Sequence, residues 1–238
     1  SRFTAYLYLL LQFNSMGIKI RLIIMSFLQF FVWGAWLITI ANFWFGTKSW
    51  DGTQFGLVFS TMGIASLFMP TLTGILADRW VNAEKLYGIL HILYALVLFY
   101  LPQITTPDNF IYVMLLAMCC YMPTIALSNS ISYNALKLNN CDVVKDFPPI
   151  RVFGTIGFIV AMWITNLTGN KASAYQFYIA GVAAIGLGLY AFSLPKCKPQ
   201  NLTKENASFM ELMGLESFKL FANYKMALFF IFSMFLGA

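Results

Sequence analysis

Charge is scarce in this sequence. Only 10% of its 238 residues are Asp, Glu, Lys or Arg, against about 25% in an ordinary soluble domain. With 60% hydrophobic residues and a mean hydropathy of +0.73, a soluble fold of this size has no way to hide its apolar surface. The net charge of +6 is spread between apolar windows and forms no dense basic cluster, which argues against a nucleic-acid partner. Cysteine offers no metal chemistry: Cys119, Cys120, Cys141 and Cys197 lack ligand spacing, and the adjacent pair sits in an apolar window as small hydrophobes. Paired acids, a metal cluster, or a nucleophile with its base at a membrane edge are all missing, which weighs against a membrane-embedded enzyme. No Asp or Glu lies at the middle of an apolar window.

What the sequence has in abundance is long apolar windows. Several approach 20 residues, enough at 1.5 Å per residue to cross about 30 Å of hydrocarbon. Hydropathy and breakers together predict helices at 20–43, 54–76, 86–101, 109–137, 148–167 and 174–194, with a further one opening near Met226. The expected class is an all-α polytopic membrane protein. The polar, Lys-bearing stretch 195–225 reads as a linker between two halves, with 226–238 the start of a seventh span and 16–194 a six-helix unit. Met16, followed by Lys19, Arg21 and an apolar run, resembles a natural start, so 1–15 reads as an upstream or non-native extension. No small-residue cleavage site follows it, which argues against a signal peptide. Most basic residues, among them Lys19, Arg21, Arg79, Lys85, Lys145 and Lys196, fall on one side of this map, against Lys48 and Lys171 on the other. The positive-inside rule then places the N-terminus and the linker in the cytoplasm.

Polar and aromatic residues inside the windows are the candidates for chemistry. Gln29, Trp33, Trp36 and Thr39 recur at spacings of four, three and three, one face of a regular helix. Interfacial anchoring would explain the tryptophans at a span's edge, but both lie well inside, so a wet cavity wall accounts for them better. Tyr121, Pro123, Thr124, Ser128, Asn129, Ser130, Ser132, Tyr133 and Asn134 make the fourth window dense in hydrogen-bonding groups. Contacts between helices would satisfy them as well as a ligand would, and Pro123 is expected to bend the helix toward the cavity. Arg151 follows Pro148 and Pro149 and shares a face with Thr155 and Phe158. Snorkelling to the headgroups is one account of such an arginine; donor, hydroxyl and ring together also suit a planar polar ligand. His91 has no acidic neighbour in sequence and reads as a structural hydrogen bonder rather than a proton relay. Asn166-Leu-Thr168 fits the glycosylation pattern by chance.

The segment G-I-L-A-D-R-W-V-N-A-E-K over 74–85 resembles the loop that follows the second helix in the major facilitator superfamily. Asp78 and Arg79 would take part in charge contacts that latch one side closed. Val81 and Asn82 stand where that superfamily usually has Gly, so the geometry of the turn is open. Longer stretches resemble the nucleoside:proton symporter family of that superfamily, which includes bacterial nucleoside and xanthosine permeases. These are 24–30 with Trp33-Gly-Ala-Trp36, 74–80, Tyr121-Met-Pro-Thr124, Asp146-Phe-Pro-Pro-Ile-Arg151, Gly154-Thr-Ile-Gly-Phe158 with Ala161-Met-Trp163, and 229–238.

The resemblance implies a twelve-helix transporter of which this chain carries the N-terminal six-helix bundle and the start of the seventh helix. It implies proton-coupled uptake of uridine-like nucleosides by alternating access across a bacterial inner membrane, with no cofactor, metal or enzymatic activity. Arg151, Thr155 and Phe158 would bind the nucleoside, with Gln29, Trp33 and Trp36 as lesser contributors, and Asp78 and Arg79 would gate. The lipid bilayer and the C-terminal half would be the partners of this unit. A sugar or oligosaccharide cargo is the alternative that keeps the fold, since aromatic platforms and Asn or Ser donors suit hexoses too.

Overall fold

The computed structural model describes residues 2–199 and 220–237, with side chains from 16 onward and to 233. Among them there are helices and turns and no strand. In chain order they are α1 (Arg2–Gly34), α2 (Phe55–Arg79), α3 (Ala83–Tyr100), α4 (Pro107–Leu138), α5 (Val143–Leu167), α6 (Tyr175–Ala191) and α7 (Tyr224–Gly237). Five segments are long and apolar enough to cross a membrane: Met16–Gly34, Gly52–Arg79, Ala83–Gln103, Pro107–Leu138 and Val143–Leu167. The sixth expected span is shorter, 17 residues in α6, and packs inside the bundle against α3 and α1. The stretch 195–225 expected as a linker falls largely outside the described residues.

Neighbours pair as α1 with α5, α2 with α4, and α3 with α6, while α3 and α4 close the bundle's centre. Small residues set the closest of these approaches. A Cβ on Gly34 would strike the backbone of Phe158, and one on Gly157 would strike the backbone of Phe27. The two helices therefore touch main chain to main chain, which only glycine allows. On the other side of the bundle, a Cβ on Gly88 of α3 would meet the Gly188 carbonyl of α6 at 2.8 Å.

The first span departs from the continuous helix expected over 20–43. Regular helix stops at Gly34, residues 35–39 form turns, and a π-helical turn runs Asn42–Thr47. A bonding partner on α5 makes the break tolerable: Thr165 Oγ1 donates to the Ala35 carbonyl at 2.9 Å. Thr39 Oγ1 donates to Gln176 Oε1 of α6 at 3.0 Å. Buried backbone groups that leave a helical ladder need such partners, most of all in lipid. The fifth helix begins at Val143 rather than 148, because Asp142 caps it, accepting from Val144 N and Lys145 N at 3.0 and 3.3 Å. Pro148 and Pro149 follow in the second turn, each costing the helix one donor.

Polar clasps hold the two ends. At the end carrying Lys19, its ammonium pairs with Asp146 of α5 at 2.8 Å, Arg21 donates to the Ser193 carbonyl, and Tyr190 OH donates to the Arg21 carbonyl at 3.1 Å. Glu84, buried in the first turn of α3, accepts from Cys197 N at 2.8 Å, while Ala83 N donates to the Cys197 carbonyl at 3.1 Å. At the opposite end Lys48 donates to the carbonyls of Pro102 and Ile104, at 2.8 and 2.6 Å. It lies 5.5 Å from the rings of both Phe43 and Trp50, and burial lowers its pKa.

Replacing Gly157 with Val is expected to force α1 and α5 apart, costing about 1–3 kcal/mol as overpacking does. The melting temperature of the purified protein should fall. Gly63→Ala, whose added methyl meets nothing within 4 Å, should leave it unchanged or raise it.

Candidate functional site

One face of α5 is given over to packing: Ile150, Gly154, Gly157, Ala161 and Thr165 are buried, and Gly154 and Gly157 lie directly on α1. Turning the helix by one position brings Arg151, Thr155 and Phe158 to the edge of that contact, where α5 is open. An open cavity of about 430 Å³ lies there, lined by Phe147, Pro148, Arg151, Val152 and Thr155. Thr155 is exposed, while Arg151 and Phe158 are half-buried.

Aromatic rings from α1 and α4 form the wall beside these three. The Arg151 guanidinium lies 3.9 Å from the centroid of the Phe30 ring. Phe158 meets Trp33 edge to face, centroids 6.0 Å apart at 82°. Trp33 continues the wall to Tyr121 at 5.8 Å and to Phe30 at 6.4 Å. Its indole Nε1 is buried and has no hydrogen-bond partner among the described residues. Ring faces next to a cation and a hydroxyl are an arrangement that takes a flat, polar, hydrogen-bonding molecule.

Gln29 and Trp36 do not join this group. Gln29 is fully buried, its Nε2 donating to Thr124 Oγ1 at 2.8 Å and its Oε1 accepting from Tyr87 OH at 2.6 Å. Tyr121 OH donates to the Gln29 carbonyl at 2.7 Å, so the glutamine ties α1 to α3 and α4 behind the aromatic wall. Trp36 donates from Nε1 to Tyr94 OH at 2.8 Å and packs on Phe177 at 6.2 Å. Trp36 lies beyond Gly34, where the regular helix gives way to turns, whereas Gln29 lies before that point and is held away by its own partners on α3 and α4.

The hydroxyls of α4 are largely consumed by the helix itself. Ser128 donates to the Ile125 carbonyl and Ser132 to the Ser128 carbonyl, both at 2.8 Å. Tyr133 packs on Phe147 of the cavity wall, centroids 4.6 Å apart. His91 rests on Tyr87, ring centroids 4.4 Å apart, with Nδ1 2.9 Å from the Tyr87 carbonyl and a buried Nε2 that has no partner among the described residues.

Asp78 and Arg79 end α2. The turn beyond them closes without glycine, as Trp80 N and Val81 N both donate to the Leu76 carbonyl at 3.0 Å. Asn82 takes φ −57° and ψ 134°, ordinary backbone for a side-chain-bearing residue, and donates to Glu84 Oε1 at 3.0 Å. Val81 and Asn82 are thus accommodated where the superfamily pattern carries Gly. The Arg79 guanidinium sits 6.0 Å from the Trp80 ring.

Sequence reasoning missed Phe30 as part of the site. A phenylalanine in an apolar run carries no sign that an arginine lies on it, and only the glycine three residues beyond Arg151 hinted at a close neighbour.

Comparison with known proteins gives the family. The nucleoside H+ symporter family matches residues 16–238. The xanthosine permease of Escherichia coli (strain K12) is 48% identical over 223 residues, 94% of this chain and 53% of that protein. Nucleoside permease NupG of the same organism is 47% identical over the same shares. Crystal structures of nucleoside transporter NupG and of a mutant of it superpose with TM-scores of 0.78 and 0.83 at 46% identity, covering 92% of this chain. The chain spans about half the length of the relatives it matches. On the family match and on near-half identity over almost its whole length, this multi-pass membrane chain belongs to the nucleoside H+ symporter family.

Proposed function

We propose that this chain forms one wall of a proton-coupled nucleoside transporter, with its cavity at the open face of α5. The observation that carries the reading is that Arg151 and Thr155 line one 430 Å³ cavity on the same helix face as Phe158, whose ring packs on Trp33. Arg151 donates hydrogen bonds to the oxygens of the nucleoside, Thr155 donates or accepts one, and Phe158 with Trp33 offers ring surface to the base. Transport proceeds by alternating access, two six-helix halves rocking about this cavity. The α2 and α5 segments support that picture: only 17% and 22% of their spanning windows are buried within this chain, which leaves both faces for a second half. Asp78 and Arg79 at the end of α2 act as a latch on one side. The protein works in the bacterial inner membrane with its N-terminus in the cytoplasm, a placement supported by the excess of Lys and Arg at the Lys19 end.

Cells lacking their own nucleoside transporters and expressing the full-length gene should take up labelled uridine saturably. Uptake should collapse with a protonophore and be competed by uridine but not by galactosides. Uptake that persists without a proton gradient would remove the symport reading, and competition by galactosides would replace the cargo. Arg151→Ala should lower uptake at least a hundredfold with unchanged membrane abundance, as expected when charge-assisted hydrogen bonds to a ligand are lost; normal uptake would overturn the site. Residues 16–238 alone, reconstituted in liposomes, should transport nothing, because the cavity has one wall.

A further inference from the structure

We propose that Phe30 is the positioning residue for Arg151, holding the guanidinium flat against its ring so that the donors on the guanidinium edge face the cavity. The proposal rests on the reading of Arg151 as the group that meets the ligand, and adds how the protein keeps an arginine there ready to bind.

An arginine at membrane depth needs compensation, and the usual compensation is a carboxylate. None is provided among the described residues. The ion pairs among the described residues are Lys19–Asp146 and Lys145–Asp142, and no hydrogen bond from Arg151 to the protein accompanies them. What Arg151 has is the Phe30 ring, 3.9 Å away, well inside the 6 Å range of a cation–π contact. The two kinds of partner differ in what they consume. A carboxylate binds the in-plane N–H groups in a fork and neutralises the charge. A ring covers the face of the guanidinium and leaves the in-plane donors open.

The surroundings are arranged for this contact. Phe30 is buried, 7% exposed, and is held by Trp33 at 6.4 Å, so the platform is fixed before a ligand arrives. Gly154, one turn beyond Arg151, leaves the room: a Cβ there would lie 2.6 Å from the Phe30 ring and 2.8 Å from Arg151 Nη1. Ring and guanidinium thus meet over a residue without a side chain. Phe30 lies in the α1–α5 contact and is not among the residues that line the cavity, so it acts through Arg151 rather than on the ligand.

The test is made on the full-length transporter in cells. Phe30→Leu should raise the KM for uridine about tenfold while the maximal rate per transporter stays within twofold, and Phe30→Tyr, which restores a ring, should return KM to the wild-type value. A purely structural role would instead lower membrane abundance and maximal rate. Phe30→Met, with similar volume and no ring face, serves if Phe30→Leu does not reach the membrane. In the same membranes, phenylglyoxal labelling of Arg151, located by mass spectrometry, should run several times faster in the ringless variants. Unchanged KM and unchanged labelling in a variant that folds, with Arg151→Ala inactive, would overturn the role of Phe30 and leave the site standing. Faster labelling in the ringless variants, with Arg151→Ala fully active, would uphold the contact and overturn the site.

Discussion

The contact between α1 and α5 is main chain against main chain, at Gly34 on Phe158 and at Gly157 on Phe27, and the rest of the site depends on it. Helices separated by ordinary side chains lie 8–10 Å apart; glycine lets these two come closer. Because they do, a hydroxyl of α5 reaches the carbonyl that α1 frees at Ala35, and a ring of α1 lies beneath an arginine of α5. Break, platform and cavity edge are three results of one close crossing. Without a hydrophobic force between helices inside lipid, such packing and the hydrogen bonds it permits are what hold a bundle together.

A second layer of polar contacts sits behind the first. Gln29, Thr124, Tyr87 and Tyr121 join three helices in a buried hydrogen-bonded cluster, and Trp36 with Tyr94 adds a further link between α1 and α3. These groups satisfy one another, as buried polar groups must, and so fix the wall on which Trp33 stands. The cavity is lined by Arg151 and Thr155 among others, whose polar groups this buried cluster does not engage.

The number and order of the helices could be read from the sequence because hydropathy and breakers report directly on burial in lipid. The shared face of Arg151, Thr155 and Phe158 could be read from spacings of four and three on a regular helix, and α5 is regular there. Phase was lost where the regular helix was lost. Trp36 and Thr39 continue the stripe of Gln29 and Trp33 only if the first span is continuous, and a turn at 35–39 removes that premise; no residue in Trp33-Gly-Ala-Trp36 announces it, because the partner that permits it, Thr165, is 130 residues away. The start of α5 was hidden by its prolines, which hydropathy treats as breakers although a capped helix carries them through its second turn. Phe30 was hidden by composition, being one of 24 phenylalanines.

The brevity of α6 has a consequence for the lipid around the protein. Its 17 residues extend about 25 Å, short of the roughly 30 Å of a hydrocarbon core. Val182 and Leu189, two turns apart, are both exposed on its outer side, a face on which acyl chains would meet the helix. Lipid on that face would have to thin, or the ends of α6 would draw headgroups inward. Acyl-chain length would then bear on this flank more than on the side of α4, whose 32 residues exceed any bilayer core.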